Sequence, residues 1–238
     1  MTDSCEIDDF DDYEDFEIDD ETIGQPAPRR RTRTESEKKS MEEIAKARAM
    51  RTRQRRILRR ATSEQNLNEV LDWHFQEGAA YHVISAGDID FMTYMRITVK
   101  QHPLQYALFS TWCMGMDDAE EIISWLARGL IKRCDVYVGE NFIQHYQQIL
   151  EYLVDKIPEY GGRVCMQRNH AKVMCAYWKG GACAITSSAN INTNPRIEQT
   201  VITVDKEVAD FYKDFFDSLK PKNPWTIPWE PWQNKENV

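Results

Sequence analysis

The stretch that decides the fold runs from residue 104 to residue 139: LQYALFSTWCMGMDDAEEIISWLARGLIKRCDVYVG. Its first part, Leu104–Trp112, is an apolar and aromatic run of strand length. The period then changes. Across Asp117–Ile131 the residues Ile122, Ile123, Leu126 and Leu130 recur at helical spacing, which predicts a helix burying that stripe. Asp135–Gly139 returns to a short apolar strand. Strand, helix, strand at this spacing predicts parallel strands joined by a crossover helix.

The same alternation extends in both directions. Upstream, a helix is expected to start near Ser63, with Leu67, Val70, Leu71 and Phe75 on one face, followed by a strand at Tyr81–Ala86 and a helix at Asp88–Val99. Asp88 and Asp90 read as helix N-caps rather than as a metal pair. Downstream, Asn141–Ile157 is expected to be helical with Ile143, Tyr146, Ile149, Leu150 and Leu153 facing in, and Gly162–Met166 to be a strand. The pattern then shifts to three closely spaced strands, His170–Trp178, Ala182–Ser187 and Ile197–Val204. Lys179-Gly180-Gly181 forms the turn between the first two. Val208–Leu219 closes the domain as a helix expected to bury Val208, Phe211, Tyr212, Phe215 and Leu219. The fold class is therefore α/β: a mixed, largely parallel β-sheet flanked by helices.

The flanks differ in composition. The first 22 residues hold twelve acids and no base, while 29–60 hold fourteen Lys/Arg against four acids. The net charge of −9 thus hides a local +10. Residues 1–28 read as an acidic disordered tail, 29–62 as a basic helical arm or linker, 63–221 as the folded domain and 222–238 as a Pro/Trp-rich tail. Within the arm, Arg51, Arg53, Arg55, Arg56, Arg59 and Arg60 are the candidate nucleic-acid contacts. The acidic tail is expected to fold back on that arm and restrain it, so that deleting residues 1–22 tightens DNA binding at low salt. Pro224-Trp225, Pro228-Trp229 and Pro231-Trp232 predict an extended segment that packs on the domain or binds another protein.

No apolar run approaches the roughly 20 residues a bilayer span needs, so stable membrane insertion is not expected. No secretory signal is visible. Cysteines 5, 113, 134, 165, 175 and 183 form no CxxC pair and read as small, reduced residues of a cytoplasmic protein. No metal-ligand spacing is found, and neither a metal nor a cofactor is expected.

The chemistry concentrates in His170-Ala171-Lys172, Ser187-Ser188-Ala189-Asn190 and Arg196-Ile197-Glu198. Two residues apart, His170 and Lys172 are expected on one face of a strand. A hairpin return brings Ser188 and Asn190 beside them. Lys172 would supply a cation and Asn190 amide donors to the oxygens of a phosphodiester attacked at phosphorus. A neutral imidazole would be the nucleophile.

This arrangement resembles the phospholipase D (HKD) superfamily, whose motif runs HxK, four residues, Asp, six residues, GSxN, with a Glu some ten residues later. The resemblance implies that Glu198 orients His170. The match departs from the pattern at three places. His170 to Asn190 is three residues longer, in or near the Lys179–Ala182 turn; Ser187 replaces the first Gly; and Tyr177 stands where the family has Asp. Tyrosyl-DNA phosphodiesterases also lack that Asp and are similar in keeping the His, Lys and Asn. One motif per chain implies a homodimer with a shared site. The expected function is a metal-independent phosphodiesterase, most of all a nuclease acting through a phosphohistidine on DNA or RNA. The alternatives are a catalytically inactive member that binds nucleic acid or acts as a scaffold, and a phospholipase or lipid-phosphate transferase.

Overall fold

The computed structural model describes residues 58–71, 75–192, 196–225 and 228–233. The acidic tail, most of the basic arm including Arg51, Arg53, Arg55 and Arg56, and Cys5 lie outside the described residues.

Seven strands form one open sheet in the order β1-β7-β6-β5-β2-β3-β4. They are β1 (Ala80–Ser85), β2 (Leu104–Thr111), β3 (Cys134–Gly139), β4 (Val164–Gln167), β5 (Val173–Trp178), β6 (Gly181–Ser187) and β7 (Glu198–Thr203). The helices are α1 (58–70), α2 (Phe91–Gln101), α3 (Met116–Ala127), α4 (Phe142–His145), α5 (Gln147–Lys156) and α6 (Lys206–Asp217). The sheet is mixed, as expected. Its parallel part is confined to β2/β3 and β3/β4, and the remaining pairings are antiparallel. The crossover helices α3 and α5 enforce the parallel pairs; beyond β4 the connections are too short for crossovers. Lys179 and Gly180 form the β5–β6 turn, where Gly180 takes φ 85°.

The middle strands read as unbroken apolar runs because both faces are covered. On one face α1, α2, α3 and α5 contribute Leu67, Met95, Ile122 and Leu153 to the larger core. On the other, Tyr106, Tyr137, Cys165, Cys175 and Tyr177 meet α6.

The C-terminal tail completes that second face, taking the packing option of the two expected. Asn223 pairs with the exposed edge of β4: its Oδ1 accepts from Met166 N–H at 2.7 Å and its Nδ2 donates to Val164 O at 2.9 Å. An open strand edge is thereby closed. Trp229 lies over the Arg163 guanidinium, 3.5 Å from ring centroid to Cζ, and donates its indole N–H to Asp135 at 3.1 Å. Trp232 stacks on Tyr106 with ring centroids 4.8 Å apart.

Four local expectations are corrected. Ser63 does not start a helix: α1 already runs through it, and its buried hydroxyl shares a hydrogen bond with Thr93 (2.7 Å) and accepts from Asp90 N–H (2.9 Å). Neither Asp88 nor Asp90 caps α2 with its side chain; Asp90 takes Arg59 instead, at 3.1 Å, and Asp88 accepts from Ala86 N–H at 3.0 Å. The helix expected over Asn141–Ile157 breaks at Tyr146 (φ −130°, ψ 32°), which leaves Ile143 exposed. Finally, α6 buries Ala209, Lys213 and Phe216, whereas Phe211 and Phe215 are 68% and 58% exposed. A salt bridge from Lys213 to Asp217 at 2.7 Å lets a charged residue occupy the inward face that hydrophobicity alone would have denied it.

Among the described residues no helix is long and apolar enough to cross a membrane. The five described cysteines are free and buried.

Candidate functional site

The register places the C-terminal ends of β1, β2, β3, β4 and β6 and the N-terminal ends of β5 and β7 along one rim of the sheet. The chain leaves β4 at this rim and must reach β5, which lies on the far side of β3 and β2. Residues 168–172 make that crossing over the ends of the two intervening strands. His170 and Lys172 therefore sit in the crossing segment and not, as alternation suggested, within β5, which begins at Val173.

Asn169 pins the crossing from beneath. Its Nδ2 donates to Ser110 Oγ at 2.9 Å and to Tyr137 O at 3.0 Å, tying it to β2 and β3 together. Its Oδ1 accepts from Ala171 N–H at 3.0 Å, and Ser110 Oγ donates to Ala171 O at 3.0 Å. The backbone on both sides of His170 is thus fixed by side chains from outside the motif. Gly139 makes room for this: a Cβ there would lie 3.2 Å from Asn169 O and 3.0 Å from Trp112 Cδ1.

His170 is exposed and Lys172 is 9% exposed. Lys172 Nζ lies 2.9 Å from His170 Nδ1 and donates to His170 O at 2.8 Å. Nζ is also 3.3 Å from His170 Nε2; an ammonium has only hydrogens to give, so whichever ring nitrogen it bonds is the unprotonated one. Partial burial, then the neighbouring Lys172 charge, holds the His170 imidazole below its ordinary pKa of 6.5. At neutral pH the ring is therefore uncharged. Burial also lowers the Lys172 pKa, against the opposing pull of Cys113 and Glu198.

The other motif residues arrive at the ends of neighbouring strands: Ser187 closes β6, Ser188 and Asn190 lie in the loop just beyond it, and Glu198 opens β7. Ser187 N–H donates to Lys172 O at 3.1 Å, which clamps the end of β6 beside the lysine. Ser188 Oγ donates to the Glu198 carboxylate, and Ser188 N–H donates to Gln199 O at 3.0 Å. Glu198 thus stands at the head of β7, joined to Ser188 and within electrostatic range of Lys172. Asn190 Oδ1 accepts from Trp112 N–H at 3.3 Å, which turns its amide nitrogen the other way. Tyr177, at the position of the Asp in the motif the sequence resembles, is at the opposite end of β5, donating to Asp210 at 3.1 Å.

Arg59 and Arg60 lie on α1, engaged by the domain's own carboxylates: Arg59 by Asp90 at 3.1 Å, Arg60 by Asp118 at 3.4 Å and Glu121 at 3.5 Å.

Sequence reasoning missed Ser110, Trp112, Gly139 and Asn169. Each lies at a strand end or in the loop beyond it. Their proximity to His170 follows from a β4-to-β5 crossing that no local pattern announces. Trp112 holds its ring 5.5 Å from the His170 ring, at 47°.

No protein-family profile and no characterised protein sequence matches this chain. Similar solved structures exist. A polyphosphate kinase from Porphyromonas gingivalis matches with 16% identity over 61% of this chain and 27% of its own, at TM-score 0.45. TrmBL2, an archaeal chromatin protein, matches with 12% identity over 74% and 66%, at 0.40. Phosphatidylserine synthase from Haemophilus influenzae Rd KW20 matches with 12% identity over 58% and 37%, at 0.43. This chain spans about a quarter of the kinase's length. At these scores the likeness carries no function across.

Proposed function

We propose that this protein is a metal-independent phosphodiesterase of the nuclease kind, acting as a homodimer through a phosphohistidine at His170. The observation that carries the reading is a buried ammonium, Lys172, held against a neutral imidazole at a sheet rim where Ser188, Asn190 and Glu198 converge. A buried cation beside a nucleophile suits an anionic, electrophilic centre, and a phosphodiester is both.

In the proposed reaction an imidazole nitrogen of His170 attacks phosphorus, forming an N–P bond as the P–O bond to the leaving group breaks. In the reactive form of the dimer one imidazole is protonated, and that His170, of the second copy, gives its proton to the leaving oxygen and is left neutral. That same imidazole then takes a proton from water, whose oxygen attacks phosphorus and expels His170. Lys172 exchanges its hold on the ring for a phosphate oxygen, and the amide nitrogen of Asn190 donates to another. Glu198 with Ser188 stabilises and orients the groups around them.

Two exposed isoleucines favour a second copy at this rim. Ser85 pairs with Glu198, and Ile84 and Ile197, each 78% exposed, flank that pair. Apolar side chains bordering an incomplete site suit a self-complementary two-fold contact. The basic arm, with Arg51, Arg53, Arg55 and Arg56, would gather a polyanionic strand and make binding fall steeply with salt. Arg59 and Arg60, already paired, would contribute less.

The test is cleavage of labelled single- and double-stranded DNA and RNA in EDTA. Wild-type protein is expected to cut and His170→Asn to be inactive. Absence of cleavage in both, with salt-sensitive binding intact, would replace the enzyme with a nucleic-acid-binding protein.

A further inference from the structure

We propose that Trp112 is a base-stacking platform, so that the substrate is single-stranded nucleic acid whose base next to the scissile phosphate lies on the indole. The proposal rests on the phosphodiesterase reading for its register but is measured separately from it.

Distance is the first argument. A phosphorus atom poised for attack lies about 3–3.5 Å from the imidazole. The Trp112 ring centre is 5.5 Å from that imidazole. A nucleobase is one sugar away from its own phosphate. The base flanking the reacting phosphate is therefore carried to the indole by the same step that seats the phosphate on Lys172.

The mounting of the ring is the second. Its backbone N–H is held by Asn190, its Cδ1 edge lies over Gly139, where a Cβ would come within 3.0 Å, and Thr111 Oγ1 donates to Cys113 O at 2.7 Å to close the loop. The ring is fixed from below and half-buried, leaving part of it to solvent. The other described tryptophans have structural work within the domain: Trp125 is buried, Trp178 stacks on His102 at 4.5 Å, Trp225 packs on the core, and Trp229 and Trp232 anchor the tail. Trp112 instead faces the candidate nucleophile.

Charge separates the two ligands an indole could take. A quaternary ammonium headgroup also binds aromatic faces. Here it would be seated beside the Lys172 cation; Arg168, two residues before His170 and 84% exposed, is paired with Glu140 at 3.4 Å. The Lys172 ammonium, 9% exposed and next to His170, repels a cationic headgroup and attracts the phosphates of a strand. A duplex is excluded on a different ground: its bases are already stacked and paired, whereas a single strand presents them freely.

The experiment uses the full chain carrying His170→Asn, so that nothing is cleaved. Binding of oligo(dT) is compared with that of a same-length oligomer whose bases are all replaced by tetrahydrofuran abasic units. Trp112→Ala is expected to weaken oligo(dT) binding about 5- to 150-fold, the range for loss of a stacking side chain, with a loss at least several-fold smaller on the abasic strand. Trp112→Phe, which keeps a stacking face and guards against misfolding of the alanine variant, should recover most of the discrimination. Equal losses on both strands would overturn the proposal and leave Trp112 as a support for His170. Trp112-dependent binding to phosphatidylcholine vesicles, with none to oligo(dT), would overturn it in favour of a headgroup. If wild-type protein fails to cleave but Trp112-dependent discrimination persists, the enzymatic reading alone falls. If it cleaves and discrimination is absent, the platform alone falls.

Discussion

Replacing Trp229 by alanine tests whether the C-terminal tail is part of the fold. The indole makes three kinds of contact. Its N–H donates to Asp135 Oδ1, but that carboxylate keeps Arg163 N–H at 2.8 Å and Tyr106 OH at 2.8 Å, so losing one donor costs about 1–2 kcal/mol rather than a full desolvation penalty. Its face covers the Arg163 guanidinium, an interaction of about 0.5–2 kcal/mol. Half-burial of an indole removes roughly 100 Å² of apolar surface from water, about 2.5 kcal/mol. Partial rehydration of Arg163 returns some of this, which brings the expected loss to about 3–5 kcal/mol, the usual range for Trp→Ala. For a domain of this size that is a fall in Tm of about 2–4 °C per kcal/mol. Trp229→Phe keeps the stacking face and loses only the donor, so it should cost about 1–2 kcal/mol. Urea unfolding of the full chain measures both. A loss under about 1 kcal/mol for alanine, or equal losses for the two variants, would refute the reasoning and make the tail an appendage.

Three further outcomes follow from the geometry. An NMR titration should find the His170 pKa below 6.5, and Lys172→Met should move it upward, because one of the two causes of its depression is the lysine charge. Asn169→Ala should lower kcat about 10- to 100-fold with KM little changed, since it loosens the backbone around the proposed nucleophile, His170, without touching phosphate; an equal rise in KM would assign Asn169 to binding. Burial pushes the Asp118 carboxyl up to about 6, from 3.8, despite Arg96 and Arg60. The folded state then binds that proton more tightly than the unfolded chain, so stability falls as pH rises from about 4 through about 6. Asp118→Asn should flatten that window, by up to about 3 kcal/mol, and an unchanged pH profile of urea unfolding would contradict it.

How much of this was legible beforehand depended on the range of the interaction. The core of the fold, β2-α3-β3, was readable because one helical stripe between two apolar runs is a local signal. So was the Gly180 turn, where positive φ needs a glycine. Errors came where a side chain answers to something distant. Ser63 looked like the start of a helix and is a buried tertiary hydrogen-bond partner of Thr93; Phe211 and Phe215 looked like core and face solvent because Lys213, paired with Asp217, takes the inward position. The parallel share of the sheet was overestimated because the alternation stops at β4. The motif residues themselves were visible as a pattern of residue types. Their support was not: Asn169, Ser110 and Gly139 act only because the chain crosses the ends of β3 and β2, and that crossing is a property of strand order.

A nucleophilic His170 leaves a covalent intermediate that can be trapped. Wild-type protein is mixed with a phosphorus-labelled oligonucleotide in EDTA, quenched in base within one turnover, and digested for mass spectrometry. The expected result is an acid-labile, base-stable nucleotidyl adduct, joined through an N–P bond, on the peptide containing His170 and absent from His170→Asn. Substrate turnover with no adduct, or with the label on another residue, would contradict it.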